Sequence, residues 1–399
     1  MNEKGSALMP KILAINAGSS TLKWKLFAMP EERVLASGLI DRLGQARSTV
    51  KIKFNDQKLS FDQPIKDFHE AVVDVMERLK DLHLVAHLHE IKGVGHRIVA
   101  GGEHYAQSVR ITPAVLADIT ELGHFAPLHN PVQAKYADIF SRLMPWAVQV
   151  AVFDTAFHQS MPPENFLYSI PYDYYQRFGA RKYGAHGTSV RYVTQRAAQL
   201  FDFEKLIVMH LGSGSSVTAV QNSQVIDTSM GFTPLAGVTM GTRSGDIDPS
   251  LLAYLMDQLD LQDIHQLIAI LNQKSGLLGL SQLSADQRDL EAVEAKNPQA
   301  KLALTIYANR VAKYVGSFAA AMNGVDALVF TGGVGENGGE MRAKIMAHLG
   351  FLGAVIDPLK NQSRGREVDL STPDANVATW VIPTNEELMI ARDVQAQLP

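Results

Sequence analysis

The sequence predicts an α/β protein made of two duplicated halves. Two observations point there. Strand-like apolar runs alternate with helical patterns along the chain, and one distinctive hairpin occurs twice, far apart in sequence.

The first hairpin opens with Ile12-Leu13-Ala14-Ile15 and turns through Asn16-Ala17-Gly18-Ser19-Ser20-Thr21. It returns as a strand that alternates Leu22, Trp24 and Leu26 on one face with Lys23 and Lys25 on the other. The same plan recurs later. Leu206-Ile207-Val208-Met209-His210 leads into Gly212-Ser213-Gly214-Ser215-Ser216, and Val217-Thr218-Ala219-Val220 returns. Between and around the hairpins, apolar spacing predicts helices over 67–80 and 190–200, the second opened by a Thr188-Ser189 capping signal. Further strands are predicted over 148–153 and 327–330. Pro162-Pro163, within 159–164, breaks both helix and sheet and is the expected hinge.

A chain of 399 residues predicts two or three domains, and 46% hydrophobic residues supply more than one core. The 37 basic and 41 acidic residues give a net charge of −4, which argues against a general nucleic-acid binder. The absence of cysteine excludes disulfides, thiolate chemistry and zinc held by Cys. No secretory h-region precedes Lys11, and no apolar run is long enough for a transmembrane helix, so a cytoplasmic protein with no membrane partner is expected. The leader reads as a disordered extension.

The two hairpin loops carry the first chemical signal. Small residues let the main chain approach an oxyanion closely, and consecutive N–H groups can cradle phosphate. Ser19, Thr21 and Lys23 add hydroxyls and a cation in the first loop, and Gly212, Ser213 and Gly214 form the second. Neither a Walker A sequence nor the protein-kinase motif set is present. A third glycine run, Thr331-Gly332-Gly333-Val334-Gly335-Glu336-Asn337-Gly338, follows a strand and precedes a helix. It satisfies G-x-G-x-x-G from Gly333, with Asp357 downstream. It is read here as a nucleotide loop, because no second βαβ half follows for a dinucleotide fold. Arg97, and Arg243 within the polar stretch 240–249, suit anion binding. His186 lies between small residues at a predicted helix start, where a donor can face an anion. His83, His87 and His89 read as a solvated helix face rather than a metal site.

Seven ordered motifs then carry a resemblance that spans nearly the whole chain from Lys11. They are Asn16-Ala17-Gly18-Ser19-Ser20, Ala126-Pro127-Leu128-His129-Asn130, Val152-Phe153-Asp154-Thr155-Ala156-Phe157-His158, His186-Gly187-Thr188-Ser189, and the runs 240–249, 330–337 and 383–388. The chain resembles the acetate/propionate kinase family. That resemblance implies two actin/hexokinase/Hsp70-like (ribonuclease H-like) domains with ATP in an interdomain cleft, normally in a homodimer. It implies a discontinuous first domain, expected over 1–158 plus 388–399, with a nucleotide-binding domain over 159–387. The implied reaction is Mg²⁺- (or Mn²⁺-) dependent transfer of the γ-phosphoryl of ATP to a small carboxylate, giving ADP and an acyl phosphate.

Carried over by position, Asn16, Arg97, His186, Arg243 and Glu386 match catalytic residues, and Asp154 matches the active-site aspartate. Glu386, beside Glu387, matches the metal ligand, with Asn16 close to it in the implied site. Val99, Leu128, His129, Ala185 and Pro234 match the acyl pocket. His210, Gly212, Asp286, Arg288, Gly333, Val334 and Asn337 match nucleotide contacts, with Ser213, Gly214 and Gly335 inside the same loops. A carboxylate is already ionised at neutral pH, so Asp154 is read as orienting an Arg or a metal-bound water rather than as a base.

The chain departs from the family pattern at Ala185 (usually Phe), Ser213 (usually Asn), Ala100 and Val190 (usually His) and Ala236 (usually Glu). Ala185 leaves room for extra methylenes, each worth about 0.8 kcal/mol when buried. The pattern therefore predicts a preference for an acid larger than acetate, such as propionate or butyrate. Two other readings keep the fold: a sugar or polyol kinase that recruits Asp154 as a base, and a degenerate ATP-binding paralogue.

Overall fold

The computed structural model describes residues 9–127 and 129–399. The leader through residue 8 and Leu128 of the expected acyl pocket lie outside the described residues. The chain divides into two compact units, Met1–Ala156 with Asn385–Pro399, and Phe157–Thr384. The crossings therefore fall at 156/157 and 384/385. The double proline does not mark the first of them. Pro163 instead starts a short helix, Pro163–Phe166, where its missing N–H costs nothing. The second crossing precedes the expected one, so Glu386 belongs to the first unit.

In the first unit, β1 (Lys11–Ala17), β2 (Thr21–Ala28), β3 (Arg33–Asp41), β4 (Ser48–Phe54) and β5 (Gln57–Gln63) form an antiparallel meander. On the other side of β1, β6 (Ile91–Ile98) and then β8 (Val148–Phe153) pair in parallel, with β7 (Val109–Arg110) at the edge. The sheet order is β5-β4-β3-β2-β1-β6-β8-β7. The predicted 67–80 helix forms as Phe68–Asp81, with the Asp67 side chain accepting from the Glu70 N–H as its N-cap.

The last helix of the sequence, Glu386–Gln397, packs on this same sheet. It buries Leu388, Met389, Ile390, Ala391 and Val394. Its approach requires glycine beneath it. A Cβ on Gly93 would lie 2.3 Å from Val394, and one on Gly95 2.3 Å from Ile390. Arg392 clamps Glu32 through two bonds, at 2.6 and 2.9 Å, and holds the helix against the meander.

The second unit repeats the plan. β9 (Lys205–Leu211), β10 (Ser215–Gln221) and β11 (Gln224–Thr228) are antiparallel, and β12 (Ala327–Thr331) and β14 (Ala378–Val381) continue in parallel from β9, with β13 (Val368–Asp369) at the edge. Its order, β11-β10-β9-β12-β14-β13, matches the β3-β2-β1-β6-β8-β7 run of the first sheet strand for strand. The duplication first suggested by two short hairpins is thus a duplication of sheet topology, as in an actin-like pair. The long helix Pro298–Ala321 covers one face and buries Leu304, Tyr307, Val311, Val315 and Phe318.

His83, His87 and His89 do not share a helix face. The helix ends at Asp81, His83 has a positive φ of 53°, and His89 stacks on Trp146 at 4.0 Å. No helix among the described residues is long and apolar enough to cross a membrane.

Candidate active site

In the first unit the chemistry gathers at the carboxyl ends of the parallel strands, where open α/β sheets bind ligands. Asn16 lies near the end of β1 and Arg97 near the end of β6. Asp154 directly follows β8, its N–H donating to the Ile98 carbonyl at 2.9 Å. Arg97 donates through Nε to Asp154 Oδ2 at 2.8 Å, with Nη2 2.5 Å from the same oxygen, and Nη1 reaches Asn16 Oδ1 at 3.3 Å. Asp154 is 1% exposed. Burial works against the Arg97 cation, but Asp154, Glu386 and Glu387 outweigh it and hold the guanidinium charged.

Glu386, at the start of the returning helix, lies in the same field. Burial pushes its carboxyl up to about 7, Arg97 and Lys23 oppose that rise, and Asp154 and Glu387 add to it. Glu387 has its own partner, Lys25, at 3.1 Å. Lys23 is exposed on β2, in register opposite Asn16, and Ser19 is exposed in the first loop. The Gly18 N–H donates to the Thr21 carbonyl at 2.8 Å and closes that turn.

Among the described residues, no group of three His, Cys, Asp or Glu side chains is arranged to hold a metal. That donor set still fits Mg²⁺, which binds through one or two carboxylates and takes its remaining oxygens from phosphates and water. Glu386 and the amide oxygen of Asn16 are donors of the right kind.

Val99 and Ala100, just past β6, are buried and backed by the helix Asn130–Leu143. The Val99 N–H donates to Gln133 Oε1, and Asn130 both accepts from the Ala100 N–H and donates to its carbonyl. His129 is the N-cap position of that helix.

In the second unit, His186 precedes the helix Gly187–Leu200 and adopts a left-handed φ of 67°. Its Nδ1 bonds Ser216 Oγ at 2.9 Å, and its ring stacks on His210 at 4.2 Å. His210 Nδ1 bonds Ser189 Oγ at 2.8 Å, which in turn bonds Thr384 Oγ1 at 2.7 Å. Ser189, read from sequence as a helix cap, is a link in this chain.

The Gly212–Gly214 turn lies beside these rings. A Cβ on Gly214 would come within 3.5 Å of both His186 Nε2 and Arg243 Nη1, so the imidazole and the guanidinium flank one point. Arg243 has no carboxylate partner among the described residues; its Nη1 donates to the Pro234 carbonyl at 3.1 Å and contacts Met240 Sδ at 3.6 Å. Burial therefore lowers its pKa with nothing opposing. The loop that carries it is held by backbone bonds. Gly241 donates to Ser213, Met240 to Arg243, and Leu277 to Met240. Ala185 packs against the fully buried Met230 and Met240.

The third glycine run forms the short helix Gly332–Asn337 rather than an open loop. Gly332, at φ 76°, approaches β9 so closely that a Cβ would lie 2.7 Å from the Leu211 carbonyl. A Cβ on Gly333 would meet nothing within 4 Å. Gly335 is buried, Val334 is partly buried, and Asn337 is exposed with its amide bonded to the Gly333 carbonyl. Asp286 caps the helix Gln287–Val293 and binds the Arg288 guanidinium through both oxygens, leaving Arg288 largely exposed. Sequence reading passed over Ser216, Thr384, Glu336 and Arg342. The last is fully buried with no acid paired to it among the described residues, donating to the carbonyls of Gly335, Asn361 and Ser363 and to Asn361 Oδ1.

The acetokinase family pattern matches residues 11–392. An acetate kinase of Lacticaseibacillus paracasei is 66% identical over 394 residues, covering 97% of this chain and 100% of that one. Among solved structures, an acetate kinase of Porphyromonas gingivalis superposes with a TM-score of 0.92 at 43% identity, covering 98% of this chain and all of the other. A propionate kinase of Francisella tularensis gives the same TM-score at 40% identity, with 97% and 100% covered.

Proposed function

The chain belongs to the acetokinase family, and on that premise we propose that it moves the γ-phosphoryl group of ATP onto acetate. A carboxylate oxygen attacks the γ-phosphorus, the bond from phosphorus to the β–γ bridging oxygen breaks, and ADP leaves beside an acyl phosphate. The observation that carries this reading is Arg243, a partly buried cation whose side-chain partners among the described residues are a carbonyl and a thioether, flanking Gly214 together with His186. A cation held in that way stabilises an arriving anion without first giving up a salt bridge.

The nucleophile needs no base, because acetate is ionised at neutral pH. Asp154, committed to the Arg97 fork, serves as the orienter of that guanidinium, and this removes the basis for a sugar kinase that needs Asp154 to accept a hydroxyl proton. In the second unit, Arg243 and His186 would offset the charge that spreads over the equatorial phosphoryl oxygens. Glu386 and Asn16 are the residues we assign to Mg²⁺. When bound, the metal would neutralise phosphate charge; the protein's own contribution is to set those two oxygens near Arg97.

The acid larger than acetate suggested by Ala185 loses its support here. Ala185 is buried against Met230 and Met240, residues that adapt to irregular gaps, and the relative 66% identical to this chain is an acetate kinase. We therefore assign acetate as the preferred acid. Trapping of acyl phosphate as hydroxamate, with ATP and a C2–C5 acid series, tests both statements. The expected result is product with acetate and a kcat/KM that falls with chain length. No hydroxamate with any acid would refute the kinase reading, and a maximum at C3 or beyond would refute the acetate assignment.

A further inference from the structure

We propose that Glu336 is a positioning residue, whose carboxylate ties the start of the glycine run to Thr384 and so sets the hydroxyl–imidazole chain that orients His210 and His186. One carboxylate oxygen, Oε1, accepts from the Gly332 N–H at 3.0 Å and from the Thr384 N–H at 3.0 Å. These two donors are far apart in sequence but belong to one unit. Gly332 begins the turn whose next residue, Gly333, faces open space. Thr384 passes the connection onward through its own hydroxyl to Ser189 and then to His210, which stacks on His186. Glu336 is thus the joint between the nucleotide turn and the imidazole pair.

The electrostatics agree with a constrained role. Glu336 is partly buried, and burial raises its pKa while the two backbone donors lower it. No cation pairs with it among the described ion pairs. Burying a carboxylate for two neutral donors is unfavourable for stability alone, because an amide acceptor would satisfy the same N–H groups at lower desolvation cost. What the carboxylate adds is a charged acceptor that holds both N–H groups at one fixed oxygen.

The inference rests on the kinase reading above, and its experiment separates the two. Wild type, Glu336→Ala, Glu336→Gln, Glu336→Asp and Thr384→Val are compared for steady-state kinetics, MgADP binding by calorimetric titration, and melting temperature. Glu336→Ala should raise the KM for ATP and the Kd for MgADP on the order of ten-fold and lower kcat, while the KM for acetate stays within about two-fold. Glu336→Gln keeps an acceptor oxygen in place and should restore nucleotide binding to within about three-fold of wild type. Glu336→Asp is one methylene short and should behave like the alanine variant. Thr384→Val keeps the N–H that Glu336 accepts but cuts the link to Ser189. It should lower kcat about five-fold without moving the KM for ATP.

If the alanine variant does not fold, the Gln and Asp pair decides the matter. Equal nucleotide affinity in Gln, Asp and wild type would overturn the proposal. So would a fall in melting temperature with every kinetic constant unchanged. An inactive wild type would instead refute the kinase reading, and MgADP titration would still test the role of Glu336.

Discussion

The two units repeat one strand order and arm it differently. In the first, charge is paired: Arg97 near the end of β6 is locked to Asp154, and Glu387 of the last helix to Lys25 within β2. In the second, the strand ends carry neutral donors, glycine turns and two stacked imidazoles, and Arg243 has no carboxylate partner among the described residues. A duplicated sheet therefore supplies positions, while the loops at its carboxyl edge decide the chemistry. The difference is also energetic. A buried pair need not add net stability, but losing one member strands the other at a large cost, whereas a solitary buried cation opposes folding and is retained for another reason.

Removing each cation breaks the comparison most sharply. Arg97→Ala and Arg243→Ala should both lower turnover on the order of 10²–10³. Only the first should also destabilise the protein, by about 3–5 kcal/mol, because it leaves the buried Asp154 without its counter-charge. Arg243→Ala should melt at or above the wild-type temperature. Melting curves beside kinetics decide it, and equal melting losses would erase the distinction.

A second prediction concerns acid. His96 in β6 is 2% exposed, and burial lowers its pKa from 6.5 to about 4, with the Gln149 bond opposing. In this window the unfolded imidazole takes up a proton that the folded one refuses. The stability contributed is therefore complete above pH 6.5 and is lost as pH falls towards 4, to a total of about 3 kcal/mol. Denaturant titrations of wild type and His96→Gln across this range should converge at low pH. Parallel curves would remove His96 as the cause.

The smallest effects separate two adjacent glycines in the second unit. Gly332→Ala should destabilise by about 1–3 kcal/mol, from its left-handed φ and the crowding of the Leu211 carbonyl. Gly333→Ala adds a methyl to open space, so it should leave the melting temperature unchanged while raising the KM for ATP a few-fold. A stability loss at Gly333 would show that this space is already committed to the fold.

Much of the scaffold was legible in sequence because its signals are local. Apolar runs gave β8 its bounds, alternation of Leu22, Trp24 and Leu26 marked β2, and Asp67 capped its helix as its residue type requires. The candidate site was legible only where residue type alone implies chemistry, as at Arg97, His186 and Arg243. What escaped depends on distant partners. Glu336 meets Thr384 across 48 positions, and no spacing rule links them. The loss of a bulky side chain at Ala185 was visible, but not its packing against Met230 and Met240 from another stretch of chain. Pro162-Pro163 marks a local break in regular structure, whereas the limit of a compact unit is set by long-range contacts that no single residue type announces.

The helix Glu386–Gln397 seals a sheet whose first strand, Lys11–Ala17, is made at the other end of the described chain. During synthesis, the second unit is complete while the first still lacks the cover over Gly93 and Gly95. The usual order, in which the N-terminal domain matures first on the ribosome, is therefore reversed for the final step. A nascent chain halted before Asn385 would present this face bare, with Glu32 deprived of its arginine.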